Sequence, residues 1–287
     1  MRAEPFVKWA GGKRQLIAIL LQNSPSEWKT YYEPFGGGLA LFLELFYRYP
    51  NRKFVISDAN PELSNAYNVI KKDVEGLIKD LKRRKRLYFA SPEQYFYQAR
   101  AENPISDIGK ASRFIFLNRT CFNGLYRVNS KGEFNVPWGK YTNPLICNEL
   151  NLREVSRVLN FPNVTWHGTS NYKTILLLVK KGDFIYCDPP YEPLTETANF
   201  TSYTASGFTF QDQTDLANEM EKLRQKDVSI LVSNSNVQRI KDLYPNFEIQ
   251  EIKANRNINC KGNSRKGTTE LLISSIKKKE KTKQTTF

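Results

Sequence analysis

Cysteine and histidine are scarce in this chain. Cys121, Cys147, Cys187 and Cys260 lie far apart with no Cys-x-x-Cys pair, and His167 is the only histidine. The spacing argues against a zinc site and against a disulfide framework, and reduced thiols in a cytoplasmic setting are expected. Long apolar runs are missing as well, and the first residues lack the charged-then-apolar layout of a secretion signal, so no membrane insertion is expected. Acid is in deficit. Against 43 Lys and Arg stand 29 Asp and Glu, a formal net charge of +14, which points to a polyanionic partner, either nucleic acid or an acidic membrane surface. What is present is ample for a core: 40% of residues are hydrophobic and 13% aromatic. There is no internal repeat, and the only low-complexity tract is the lysine-rich end, Lys277 to Phe287, expected to be disordered.

The most informative stretch is Gly182-Asp183-Phe184-Ile185-Tyr186-Cys187-Asp188-Pro189-Pro190-Tyr191. Phe184 to Cys187 has the composition of a buried strand, and two prolines must end it, since neither donates to a ladder. Ligands of open α/β sheets sit at the carboxyl ends of strands, where this pattern delivers Asp188. Asp188 and the prolyl carbonyls form a cluster of acceptors with Tyr191 as a flat ring beside them, an arrangement suited to a planar amine such as the exocyclic nitrogen of a nucleobase. A Pro-Pro turn with an incidental aspartate fits the tetrapeptide equally well.

Nearer the start, Trp9-Ala10-Gly11-Gly12-Lys13 precedes an apolar run from Leu16. The glycine turn exposes N–H groups, and Lys13 is placed to hold a carboxylate or phosphate, although a capped helix with a solvated lysine is an equal reading. Tyr31-Tyr32-Glu33-Pro34-Phe35-Gly36-Gly37-Gly38 before an apolar helix has the strand, glycine turn, helix layout that cradles nucleotides. The next strand, from Lys53, ends on Asp58, roughly 20 residues after the glycines, the position that accepts from ribose hydroxyls. Together they point to an adenosine-containing cofactor.

Asn60-Pro61 starts a helix whose apolar stripe runs Leu63, Tyr67, Ile70, Val74, Leu77, Ile78 and Leu81, ending in Lys82-Arg83-Arg84-Lys85-Arg86, read as a solvated end with phosphate contact as second choice. Further helices are expected around Glu93 to Ala101 and Lys110 to Asn118. Asn118 to Tyr141 reads as a β-hairpin or large loop, with turns at Asn123-Gly124 and Lys131-Gly132. Its residues suit a base reader, since arginine grips a guanine edge, asparagine pairs with adenine, and Leu or Pro meets a thymine methyl; a structural hairpin would use the same asparagines as turns. His167 is expected at a strand end. Pro193 to Gly207 is expected to be a mobile loop, and Lys253 to Thr269, with Arg256, Lys261, Arg265 and Lys266, a phosphate-contacting segment.

Over nearly its whole length the sequence resembles the Dam-type DNA adenine N6-methyltransferases, in the order with cofactor motifs first, recognition second and catalysis last. Lys8 to Lys13, Glu33-Pro34-Phe35 with its glycines, Asp188-Pro189-Pro190-Tyr191, and Asn123-Gly124-Leu125-Tyr126-Arg127 through Phe134-Asn135-Val136-Pro137 carry the resemblance. It implies a Rossmann-like α/β methyltransferase sheet with an inserted helical and hairpin recognition domain: residues 1–60 and 161–276 form the methyltransferase part, 61–160 the insert with its hairpin at about 118–141, and 277–287 a basic tail. It implies S-adenosyl-L-methionine bound by Trp9, Lys13, Phe35, Gly37, Asp58, Asn171 and Asp188, a catalytic Asp188, Pro189, Pro190 and Tyr191, and double-stranded DNA, at GATC, met by Asn123, Leu125, Arg127, Asn129 and Pro137. Within that set Asn123 fills the gap left by the flipped base, Arg127 reads guanine, and Leu125 and Pro137 meet thymine methyls. Transfer is direct, after base flipping, with no metal; a restriction endonuclease of the same system is a compatible companion but not a required subunit. The chain departs from the pattern at Leu39, where the last glycine of Phe-x-Gly-x-Gly is expected, and at Asn171-Tyr172, where related enzymes carry an acid before the aromatic. A non-catalytic DNA-binding regulator, or methylation of RNA adenine, protein glutamine or cytosine N4, are the alternatives.

Overall fold

Among the described residues seven strands form one sheet in the order β3-β2-β1-β4-β5-β7-β6. The strands are β1 (Thr30–Glu33), β2 (Lys53–Asp58), β3 (Val164–Thr169), β4 (Phe184–Cys187), β5 (Ser229–Ser235), β6 (Glu248–Ala254) and β7 (Thr268–Ser274). This computed structural model describes residues 1–9, 11–193, 207–254 and 268–276. The expected loop after Pro193, the basic segment around Arg256 to Lys266 and the lysine-rich end fall outside the described residues.

Strands β1 to β5 pair in parallel, and β7 is antiparallel to both its neighbours. The chain leaves β1 outward through β2 and β3, then returns to β4 on the other side of β1. The order reverses between β1 and β4, and a crevice at the carboxyl ends of the strands follows from that reversal. All four residues of β4 are buried, as expected of a parallel strand covered on both faces. Phe184 and Tyr186 face one apolar layer, while Ile185 and Cys187 face the other, the two-residue period of a strand.

Helices α1 (Ile17–Gln22), α2 (Ala40–Arg48) and α3 (Pro61–Lys72) share the first layer. So do α4 (Val74–Ala90), α5 (Pro92–Ala101), α6 (Asp107–Thr120) and α7 (Glu149–Leu159), all between β2 and β3. On the other face lie α8 (Tyr172–Leu176), α9 (Phe210–Gln225) and α10 (Gln238–Lys241). Among the described residues no helix is long and apolar enough to cross a membrane.

Two local expectations need correction. The stripe from Leu63 to Leu81 belongs to two helices, because Asp73 leaves helical geometry (φ −150°) and its carboxylate accepts from the Gly76 N–H at 2.9 Å, capping α4. The basic run is solvated at Lys82, Arg83, Lys85 and Arg86 but does not end the helix. It lies inside α4, and its Arg84 is only 2% exposed, the guanidinium holding Glu102 at 2.8 Å, Asp80 at 3.2 Å and the Ser112 hydroxyl at 2.9 Å. Strand β5 continues through Ser233, Asn234 and Ser235, all fully buried although polar. Helix α7 had no counterpart in the sequence reading.

Candidate active site and recognition segment

The glycine turn after β1 is shaped by a close approach. Gly37 has φ +50°, and a Cβ there would lie 2.7 Å from the Trp9 ring, so only glycine lets the indole pack on the turn. Asp58, at the end of β2, accepts from the Gly37 N–H at 2.7 Å through one carboxylate oxygen and from the Asn60 N–H at 2.7 Å through the other. Leu39, where a glycine was expected, takes the left-handed conformation itself (φ 56°, ψ 33°) and is 1% exposed, so the turn keeps a glycine-like backbone while its side chain joins the core. Glu33 closes β1. Buried and accepting from the Tyr31 hydroxyl at 2.7 Å and the Phe42 N–H at 3.1 Å, it has its carboxyl pushed up to about 8 by burial.

Asp188 follows β4 directly, on the strand next to β1, which Glu33 ends. Its side chain is 19% exposed and receives Lys13 Nζ at 2.8 Å, although the two residues stand far apart in the chain. Lys13 is itself 5% exposed, donates to the Gly11 carbonyl at 2.6 Å and lies 4.8 Å from the centre of the Tyr191 ring. It is thus a buried carboxylate holder and not a solvated helix residue. Burial raises the Asp188 carboxyl and the lysine opposes the rise, leaving it at about 6. Asp58 is also pushed to about 6, by burial against two backbone N–H donors that lower it. Tyr191 donates its hydroxyl to Glu270 on β7 at 2.7 Å, and Glu270, 5% exposed, lies 3.9 Å from Lys13 Nζ. Three acids with elevated carboxyl pKa values therefore stand at the ends of the neighbouring strands β2, β1 and β4. Near neutral pH Glu33 holds its proton while Asp58 and Asp188 are largely ionised, and a cationic ligand beside those two would favour their charged forms.

Phe35, after β1, stacks on Tyr172 at 5.2 Å and meets Phe208 edge-on at 5.8 Å. Asn171 caps α8, its carbonyl accepting from the Lys173 N–H at 3.0 Å, and its side chain is exposed next to the end of β3.

The segment 121–141 is an antiparallel excursion with no regular strand. Isolated bridges join Cys121 to Trp138 and Val128 to Phe134, and a 3-10 turn spans Phe122–Gly124. Asn123 sits in that turn at φ 54°, its amide nitrogen buried without a hydrogen-bond partner. Arg127 is exposed and donates to the Asn135 side chain at 2.7 Å. Leu125 is half-buried and Pro137 exposed. Asn129 forms the turn: its carbonyl accepts from the Lys131 and Glu133 N–H groups, and its amide donates to the Glu133 carboxylate. The segment is tied to the chain's first residues, next to the glycine turn after β1. Tyr126 stacks on Trp9 at 5.7 Å and donates to Glu62 at 2.7 Å. Buried Asn118 accepts from the Lys8 N–H and donates to the Lys8 and Gly124 carbonyls, at 2.7 to 3.0 Å.

Residues 9–258 match the D12 class of N6 adenine-specific DNA methyltransferases. The chain belongs to this family. It is 41% identical to the type II methyltransferase M.MjaIII of Methanocaldococcus jannaschii, over 95% of this chain and 99% of that protein. It is 38% identical to the type II methyltransferase M1.LlaDCHI of Lactococcus lactis subsp. cremoris, over 94% of each. With the DNA adenine methylase of Vibrio cholerae it shares 34% over 93% of this chain and 94% of the relative.

In this D12 methyltransferase the residues singled out in the sequence fall into two neighbouring groups. Trp9, Lys13, Gly37, Asp58, Asp188 and Tyr191 gather around the carboxyl ends of β2, β1 and β4. Asn123, Leu125, Arg127 and Pro137 lie on the excursion that Trp9 and Asn118 fasten to them. Sequence reasoning missed Glu270, Asn118, Gln213 and Asn234. Glu270 is a lone acid in a short apolar strand, and an acid among Leu271, Leu272 and Ile273 is a usable signal, since a buried carboxylate needs a partner. The other three are common polar residues that only tertiary contact distinguishes.

Proposed function

We propose that the protein methylates N6 of adenine within GATC in double-stranded DNA, with S-adenosyl-L-methionine as donor, by base flipping and direct transfer. The observation that carries this reading is the junction of Lys13, Asp58, Glu33 and Asp188 at the switch point of a D12-class sheet, with Asp188-Pro189-Pro190-Tyr191 following β4. The donor set fits the cofactor: buried carboxyls with raised pKa values favour a sulfonium and an ammonium, and a carboxylate at the end of β2 suits ribose hydroxyls. Trp9, Lys13, Phe35, Gly37, Asp58, Asn171 and Asp188 hold it. Bound there, it supplies a methyl group on a positively charged sulfur that is already a good leaving group.

The chain's own residues orient the amine. Asp188 and the Pro189 carbonyl accept the two N–H bonds of adenine N6 and draw the nitrogen out of conjugation, and the Tyr191 ring, anchored through its hydroxyl by Glu270, stacks on the base. Lys13 keeps Asp188 ionised by offsetting its burial. Residues 61–160 act as the target-recognition domain: Arg127 reads guanine, Leu125 and Pro137 meet thymine methyls, Asn123 enters the stack where the base has left, and Asn129 shapes the turn that carries them. A strained left-handed asparagine with a buried unpaired amide supports a role of that kind. The test is tritium transfer from S-adenosylmethionine to GATC duplexes, to scrambled duplexes and to RNA, with the product identified by mass. N6-methyladenine on the GATC duplex alone is expected; label on adenine in other sequences would overturn the recognition assignments.

A further inference from the structure

Pro189 and Pro190 offer no N–H to any ladder, and the Pro190 carbonyl is met by a side-chain donor from elsewhere in the chain. The donor comes from α9. Gln213, 1% exposed, donates its side-chain amide to the Pro190 carbonyl at 2.8 Å. Its own carbonyl accepts from the Asn234 side-chain amide at 3.0 Å. Asn234, fully buried at the end of β5, is oriented in turn by the Ser235 N–H at 2.8 Å, and the Glu192 N–H lies 3.5 Å from the same oxygen. Past the loop, the buried Glu192 carboxylate pairs with Arg239 on α10. Every amide in this relay has one workable orientation, because each neighbour supplies only the complementary group.

We propose that Gln213, set by Asn234, is a positioning residue for methyl transfer: it fixes the Pro189-Pro190 carbonyls so that the acceptor cluster meets the target amine in attacking geometry. With φ locked at both prolines, holding the second carbonyl leaves the first little freedom. The side-chain amide of Gln213 is spent on the Pro190 carbonyl and its carbonyl on Asn234, so its role is to hold the loop. The inference rests on the proposed role of Asp188-Pro189-Pro190-Tyr191 and adds to it the elements that keep that loop in register.

The experiment compares Gln213→Leu, Gln213→Glu and Asp188→Ala with the wild type in single-turnover transfer to GATC duplex, alongside cofactor and DNA dissociation constants. Gln213→Leu is expected to lower the rate about 10- to 100-fold, the scale of a misplaced reacting group, with both dissociation constants within about threefold. Gln213→Glu carries the discriminating readout. As a carboxylate it repels the Pro190 carbonyl, whereas protonated it donates to it, so its rate relative to wild type should climb as pH falls from about 8 to about 6. A wild-type rate in Gln213→Leu, a loss confined to cofactor or DNA affinity, or a pH-independent ratio for Gln213→Glu would overturn the proposal. If Gln213→Leu does not fold, the Gln213→Glu ratio decides alone. Full activity in Asp188→Ala would instead remove the reading of the loop on which the proposal rests.

Discussion

Asp188 and Leu39 show opposite ways in which one side chain bears on this protein. Asp188 is held by Lys13 across the crevice, and the proposed chemistry passes through its ionised form. Asp188→Ala should abolish methyl transfer while DNA affinity stays within a few fold, checked by tritium incorporation and a binding titration. With its carboxyl at about 6, protonation should lower kcat/KM as pH falls below that value, because the acceptor becomes a donor. Leu39 holds a left-handed backbone that costs roughly 1–2 kcal/mol for a residue with a Cβ. Its 1% exposed side chain is worth more, since truncating a buried leucine costs about 2–5 kcal/mol. Leu39→Gly should therefore destabilise the protein, by roughly 1–3 kcal/mol in denaturant unfolding, although glycine suits the left-handed backbone. A more stable variant would mean that backbone strain outweighs burial.

The same competition of local and tertiary terms runs through the helices and the recognition excursion. A continuous apolar stripe hid the break between α3 and α4 because the sequence signal for a cap, an aspartate three residues before Gly76, is weak inside a good helical pattern. Asp73→Ala should cost about 1 kcal/mol of stability, measurable as a shift in denaturant midpoint. The excursion at 121–141 was legible as a turn-rich segment from its Asn-Gly and Lys-Gly turns. Its attachment through Trp9, Tyr126 and Asn118 was not, because those contacts join residues more than 100 positions apart. Arg127 is exposed and rests on Asn135, and the proposed reading has it exchange that contact for a base edge. Arg127→Ala should lose about 1–3 kcal/mol of discrimination at one guanine, read from relative methylation of single-substitution duplexes. Equal weakening on all sequences would assign Arg127 to phosphate.

The whole protein carries a net charge of +14 and yet concentrates acids at one end of its sheet. The surface charge draws DNA, so affinity should fall steeply with salt. The acids at the strand ends contribute one part of the pH dependence of stability. Glu33 rises to about 8, and Asp58 and Asp188 to about 6, each binding its proton more tightly folded than unfolded. Their contribution to stability is complete below about pH 4 and is lost as pH climbs through about 6 to about 8. Glu33→Gln keeps the shape without the charge, so its melting temperature should decline less with rising pH than the wild type's and match or exceed it at about pH 8. Parallel curves would show that Glu33 is not a source of the loss.

The sequence by itself determined the alternation of strands and helices, the strand end at Asp188, the glycine turn with its acid at Asp58 and the basic character suited to DNA. Those features depend on neighbours within a few residues, on proline's missing N–H and on summed charge, all of which are local or additive. Only the tertiary structure decided that Lys13 holds Asp188, that Arg84 is buried in the middle of a basic run, that Glu270 anchors Tyr191, and that Gln213 and Asn234 hold the proline loop. A buried polar group is stable only where a partner from elsewhere in the chain completes its hydrogen bonds, and that pairing exists only once the strands and helices have packed.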